Sequence, residues 1–297
     1  MNKYKILLWL MTVAIICTME ACSEDEEPDM STSVITVEKG ESNAFDNYLD
    51  LIYRETYNIN FMYRFEDIES DMDYQLVPAL YENSVKMANL VKYLCLDAYE
   101  EVAPDGFLEK YFPKMIMLVG SPAYNNNGTI VLGTAEGGLK ITLYNINNLD
   151  VTNVDVLYEY YFRTIFHEFS HILHQTKDYS TDFDKISSTD YVGGAWNDAW
   201  DNSSSLEAGF ISDYSSKEEN EDFVELIAHY ITTSPDDWNA ILEQAGEDGS
   251  DILNQKMAII KSYLLQSWEI DIDKLRDAIL DRAEKLAEQD LDNITIE

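Results

Sequence analysis

Cysteine is scarce in this chain: there are three in 297 residues, at positions 17, 22 and 95. That is too few for a disulfide-stapled scaffold, so stability must come from an apolar core. Positive charge is also short, with 20 Lys and Arg against 56 Asp and Glu and a formal net charge of -36. Such a balance excludes a nucleic-acid binder and electrostatic docking to anionic lipid. No apolar run is long enough to span a bilayer, and no segment repeats. Histidine numbers only four, yet three of them fall between Tyr160 and Gln175.

The N-terminus has Lys3 and Lys5 ahead of an apolar run from Ile6 to Met19, which reads as a removable signal-peptide core rather than a membrane span. Glu20-Ala21-Cys22 ends it and resembles a lipobox, although Met19 and Glu20 depart from the usual residues; Cys17 is the weaker candidate. Residues 1–22 are therefore expected to be a signal peptide ending at a lipidated Cys22. Residues 23–40, beginning S-E-D-E-E-P-D, form an acidic tether, and 41–297 form the folded body. If Cys22 carries the anchor, Cys95 is the one thiol left inside. The acidic run behind Cys22 is either a plain solvated linker or a signal for export to the outer face of the outer membrane.

In the body, Glu41 to Tyr57 and Val77 to Val102 show helical spacing, the latter with Pro78 in its first turn, and Ile59 to Phe65 reads as a strand. Three short β-like runs follow, at Lys114–Gly120, Thr129–Gly133 and Leu139–Ile146. The N-N-N-G and E-G-G segments between them suggest a small, mostly antiparallel sheet with an edge open to an extended ligand. Thr152-x-x-Asp155 is a candidate capping box for a buried helix from about Asn153 to Gln175. Residues 177–209 form a long polar loop, and Trp196 and Trp200 favour its being packed and ligand-facing. From Ser216 on the pattern is helical, with breaks at Ser234-Pro235, Gly246–Gly249 and Ile270–Asp273. The fold class expected is α+β, mainly helical. Asn127, Asn202 and Asn293 begin N-x-S/T triplets, which we read as chance matches.

The central helix contains H-E-x-x-H. At about 100° per residue, His167 and His171 lie one turn apart on one face, so both imidazoles can reach one metal ion. Glu168 falls beside them, where it can hold a metal-activated water, as this motif does in metalloproteases. Neutral imidazoles leave the ion its charge, and the carboxylate can take the proton of the attacking water.

A catalytic zinc site needs a third protein ligand. Lys177 stands where metzincins place a third histidine, which excludes that arrangement. His174 is too close to His171 to complete a tetrahedral set and reads as a supporting or rim residue, or as ordinary core or surface. A further helix, with Ser216-x-x-Glu219 as its cap, has an apolar stripe of Phe223, Leu226, Ile227, Tyr230 and Ile231. Glu221 and Glu225 share its other face, which by pattern alone reads first as a solvated one. His229 in the same helix is the runner-up ligand or a core residue.

H-E-F-S-H-I-L-H-Q followed some fifty residues later by E-D-F-V-E resembles the zinc-binding metallopeptidase lipoproteins of Gram-negative bacteria, often found with outer-membrane glycan-uptake systems. The second segment is also similar to the glutamate-ligand helix of gluzincins of the lethal-factor type. The resemblance implies a zincin-like domain holding Zn2+ through His167, His171 and Glu221, with Glu168 as general base and Glu225 orienting a ligand. Tyr214, seven residues before Glu221, takes the position of the tyrosine that supports the oxyanion. The function implied is a zinc-dependent hydrolase, most simply a peptidase acting on a peptide or protein. It would be held by the lipid on Cys22 at a bacterial membrane, expected to be the outer one, in the periplasm or at the cell surface. The alternative is a non-catalytic accessory or glycan-binding lipoprotein of an outer-membrane import complex.

Overall fold

The computed structural model describes residues 42–65, 75–124, 130, 131, 133–136, 139–200 and 204–295. The signal peptide, the tether, Cys17, Cys22, Asn127 and Asn202 lie outside the described residues. Helix α1 (Ala44–Tyr48) opens with a reciprocal capping box between Asn43 and Asp46 and runs on through a wider turn at Leu49–Glu55. Strand β1 (Asn60–Met62) follows. The second helical stretch comprises α2 (Tyr81–Leu90), a wider turn at Val91–Leu96 and α3 (Asp97–Val102), with α4 (Phe107–Tyr111) after it. It begins three residues after Pro78, which instead bridges Val119 of the sheet. Pro78 was expected inside the first turn, but its backbone is used as an extended edge.

The sheet contains β1, β2 (Met115–Leu118), β6 (Lys140–Leu143) and β5 (Gly133–Glu136), in the order β1-β2-β6-β5. Strands β1, β2 and β6 are parallel, Phe61 standing beside Ile116 and Ile116 beside Ile141. Only the edge strand β5 is antiparallel, pairing Gly133 with Leu143. The expectation of a mostly antiparallel sheet is therefore wrong. The reason is connectivity: helices α2 to α4 lie between β1 and β2 and return the chain to the same end, as parallel pairing requires. The N-N-N-G segment does join an antiparallel pair, β3 (Ala123–Tyr124) and β4 (Ile130–Val131), but that ribbon stands apart from the main sheet. All four residues of β6 are buried, as expected of a strand covered on both faces.

Helix α5 (Val154–Leu157) passes through a wider turn, Tyr158–Phe162, into α6 (Arg163–Thr176). Its cap is Asn153, whose side chain accepts from Val156 N, and not Thr152, which turns back to Asp150. The apolar side of α6 is buried in aromatic rings: Phe169 packs on Tyr99, Phe107 and Phe112 at 5.1, 5.7 and 4.9 Å between centroids. Fixing that side determines where the opposite face, with its histidines, must look.

The remaining elements are short α7 (Asp182–Ile186) and α8 (Ser204–Glu207), then α9 (Glu219–Ile231), α10 (Pro235–Trp268) and α11 (Ile272–Glu284). The expected breaks occur: Ser234 caps α10 with Pro235 in its first turn, Gly246 interrupts it at φ 72°, and Asp271 caps α11. Helix α9 packs extensively across α6, bringing the two polar faces together. No helix among the described residues is long and apolar enough to cross a membrane.

Candidate metal centre

Two helices and one turn build the site. From α6 come His167, Glu168, His171 and His174, and from α9 come Glu221, Glu225 and His229. A short turn, Tyr214–Lys217, leads into α9. The expected cap, Ser216, belongs to this turn instead: it donates to Asp213 O and accepts from Trp200 Nε1 at 2.7 Å.

His167 Nε2 and His171 Nε2 are 3.2 Å apart, and each is 3.2 Å from Glu221 Oε2. Donor atoms about 2.0–2.1 Å from a tetrahedral ion are separated by about 3.3–3.4 Å, so this triangle has the spacing of a zinc site. One donor-type atom each of His167, Glu168 and His171 also lie within 4.8 Å of one another. That wider grouping places Glu168 beside the cluster, while the 3.2 Å contacts single out Glu221 as the third apex. Glu221 and His167 are both 7 % exposed, so the face that pattern alone read as solvated is buried.

Each histidine is held through its other nitrogen. His167 Nδ1 donates to Glu225 Oε1 at 2.8 Å, and Ser212 Oγ donates to Glu225 Oε2 at 2.7 Å. His171 Nδ1 meets His174 Nε2 at 2.9 Å. Burial, followed by the charge of His171, holds the His174 pKa down to about 4, so His174 is the neutral acceptor and His171 the donor. His229 Nε2 reaches Glu225 Oε2 at 3.5 Å and does not join the triangle. Orienting contacts of this kind fix the ring planes of metal-binding histidines.

Burial alone would lower the His167 pKa, but its hydrogen bonds to Glu221 and Glu225 outweigh this and raise it to about 10. Burial likewise works against the Glu221 carboxylate, yet both histidines and Lys217 hold it far below the usual carboxylate range. Burial pushes the Glu168 carboxyl up, aided by the charges of Glu221 and Glu225.

Tyr214 OH donates to Glu221 Oε1 at 2.9 Å, with Trp196 stacked edge-on against its ring at 5.0 Å. Both loop tryptophans therefore pack on the Tyr214–Lys217 turn. Lys217, which sequence reasoning passed over, reaches Glu221 Oε1 at 2.7 Å. The signal was present, since Lys217 and Glu221 are four residues apart. Cavities of about 310, 390 and 350 Å³ elsewhere include none of these residues in their linings, so chemistry rather than concavity marks the site.

Two imidazoles and one carboxylate, with a second carboxylate alongside, make a donor set that suits zinc. The chain belongs to the family described as "Putative zinc-binding metallo-peptidase", whose model matches residues 38–273. It is similar to a chain from Bacteroides caccae ATCC 43185 whose crystal structure carries the same description. The two are 42 % identical with a TM-score of 0.76, over 86 % of this chain and 99 % of the other. No curated protein matches. Zinc is the ion these donors fit.

Proposed function

We propose that this protein is a zinc-dependent peptidase, anchored through Cys22 to a bacterial membrane. The observation that carries the reading is the 3.2 Å triangle of His167 Nε2, His171 Nε2 and Glu221 Oε2. Family membership supports the hydrolase class.

His167, His171 and Glu221 would hold the zinc, which when bound would supply the Lewis acidity that makes water nucleophilic near neutral pH. Glu168 takes the proton of the attacking water and passes it to the leaving amine; its raised pKa suits a group that must both accept and return a proton. Glu225 and His174 keep the two imidazoles aimed. Tyr214 turns its hydroxyl from Glu221 to the oxyanion as the carbonyl carbon becomes tetrahedral. Edge strand β5, packed against α6, offers backbone groups to an extended peptide.

Elemental analysis of the purified protein, with Glu221→Ala and Glu168→Gln alongside, tests this. We expect one zinc per chain in the parent, none in Glu221→Ala, and bound zinc with turnover reduced by about 10²–10⁴ in Glu168→Gln. A parent that holds no zinc after supplementation overturns the peptidase reading and favours an accessory, glycan-binding role. Zinc lost from Glu168→Gln would make Glu168 a ligand and reverse the assignment.

A further inference from the structure

The two oxygens of Glu221 face different partners. Oε2 points at the imidazole nitrogens at 3.2 Å, whereas Oε1 receives Lys217 Nζ at 2.7 Å and Tyr214 OH at 2.9 Å. Lys217 Nζ also lies 3.3 Å from the Tyr214 oxygen, so the three groups form a closed cluster on the side of the carboxylate away from the histidines. A carboxylate free at both oxygens can turn both toward a cation, and a fourth protein donor would then occupy the position a zinc hydrolase leaves for water. The Lys217 ammonium opposes that turn directly, because a charge-assisted hydrogen bond is about twice as strong as a neutral one.

A second consequence concerns Tyr214. With Lys217 on Oε1, that oxygen keeps a partner when the tyrosine hydroxyl leaves. Without Lys217, any departure of Tyr214 would strand a buried carboxylate oxygen. Lys217 is well placed for this because it ends the Tyr214–Lys217 turn, one helical turn before Glu221, and its side chain is 33 % exposed. Its other acidic neighbour, Glu218, is farther away at 3.7 Å.

We propose that Lys217 is a positioning residue: it holds Glu221 to zinc by one oxygen, keeps the fourth coordination position open and releases the Tyr214 hydroxyl for the oxyanion. This rests on Glu221 being the third ligand. The test is cobalt substitution of the full chain, with the visible absorption band read for the parent, Lys217→Met, Lys217→Gln and Lys217→Arg. Zinc affinity is measured by chelator competition and melting temperature serves as a check of folding. The parent is expected to give the intense band of four-coordinate cobalt. Lys217→Met and Lys217→Gln should give the weaker band of a higher coordination number, with zinc affinity shifted by about tenfold, and Lys217→Arg should restore the parent spectrum. Identical spectra and affinities in the parent and both neutral variants overturn the clamp while leaving Glu221 a ligand. A parent that takes up neither metal overturns the ligand reading beneath it.

Discussion

Glu221 and Asp222 are consecutive residues, and each carboxylate meets a lysine ammonium at 2.7 Å, yet the two pairs do opposite work. Glu221 has one oxygen on Lys217 and the other directed at two histidines. Asp222 and Lys256 are both fully buried, and Asp222 Oδ2 also accepts from Tyr191. Lys256 donates in addition to Gly209 O at 2.7 Å and lies 4.2 Å above the Phe210 ring. Gly209 holds a φ of 81°, and a Cβ there would collide with Ile252, so only glycine presents its carbonyl in this way. Burial pushes the Asp222 carboxyl up to about 6 and the Lys256 amine down, and Asp222 Oδ1 has no hydrogen-bond partner among the described residues. One pair, in the proposed site, positions a donor atom. The other fastens α9 and α10 to the loop that ends in the Tyr214–Lys217 turn.

The largest effect should come from breaking the buried pair. Lys256→Met removes the counter-ion of the buried Asp222 carboxyl and leaves it only the Tyr191 hydroxyl, which should cost about 3–5 kcal/mol in denaturant unfolding, whereas Lys256→Met with Asp222→Leu should recover most of it. A Lys256→Met protein as stable as the parent would show that the pair is not a fastening. On the Glu221 side, Tyr214→Phe should retain zinc and lose about 10²–10³ in kcat, the size of one lost oxyanion donor. An unchanged kcat would confine Tyr214 to supporting the ligand. Glu225→Gln should weaken zinc binding by about 10–100-fold in chelator competition while leaving the melting temperature of the metal-free protein close to the parent's.

A third lysine–carboxylate pair, Lys261 with Asp273 at 2.8 Å, supplies the exposed case, its side chains being 41 % and 45 % exposed. Burial alone would raise the Asp273 pKa, but hydrogen bonds from Lys261 and Tyr230 outweigh it and hold the carboxyl below its ordinary value. The folded state therefore binds fewer protons than the unfolded one as pH falls. The stabilisation is complete above about pH 4, the ordinary carboxylate value, and is lost as pH falls through the lower folded value. Asp273→Asn should cost at most about 1 kcal/mol at pH 7, and the difference should vanish in strong acid. A difference that grows on acidification would contradict this assignment.

The parts legible in the sequence are those whose information is local. Helical periodicity placed His167, Glu168 and His171 on one face of α6. Ser234-Pro235, Gly246 and Asp271 marked helix limits because capping and backbone freedom act within a few residues. Cap positions were less readable. Thr152 and Ser216 fit the same patterns as true caps but found nearer partners in Asp150 and Asp213. The parallel sheet was misread because short runs flanked by glycines look alike whether their neighbour is the next strand or one reached through three helices.

By itself, then, the sequence determined a metal-binding helix, a helical body and a strongly acidic chain, since each follows from composition or from spacing along a single element. Glu221, fifty residues beyond His171, could be nominated only through family resemblance. Its 3.2 Å approach to both imidazoles, the Glu225 and His174 braces and the Lys217 contact with Oε1 are products of how α9 crosses α6. Tertiary packing decides such features because a donor triangle needs atoms from separate elements held to within a few tenths of an ångström, and no pattern along one element specifies that.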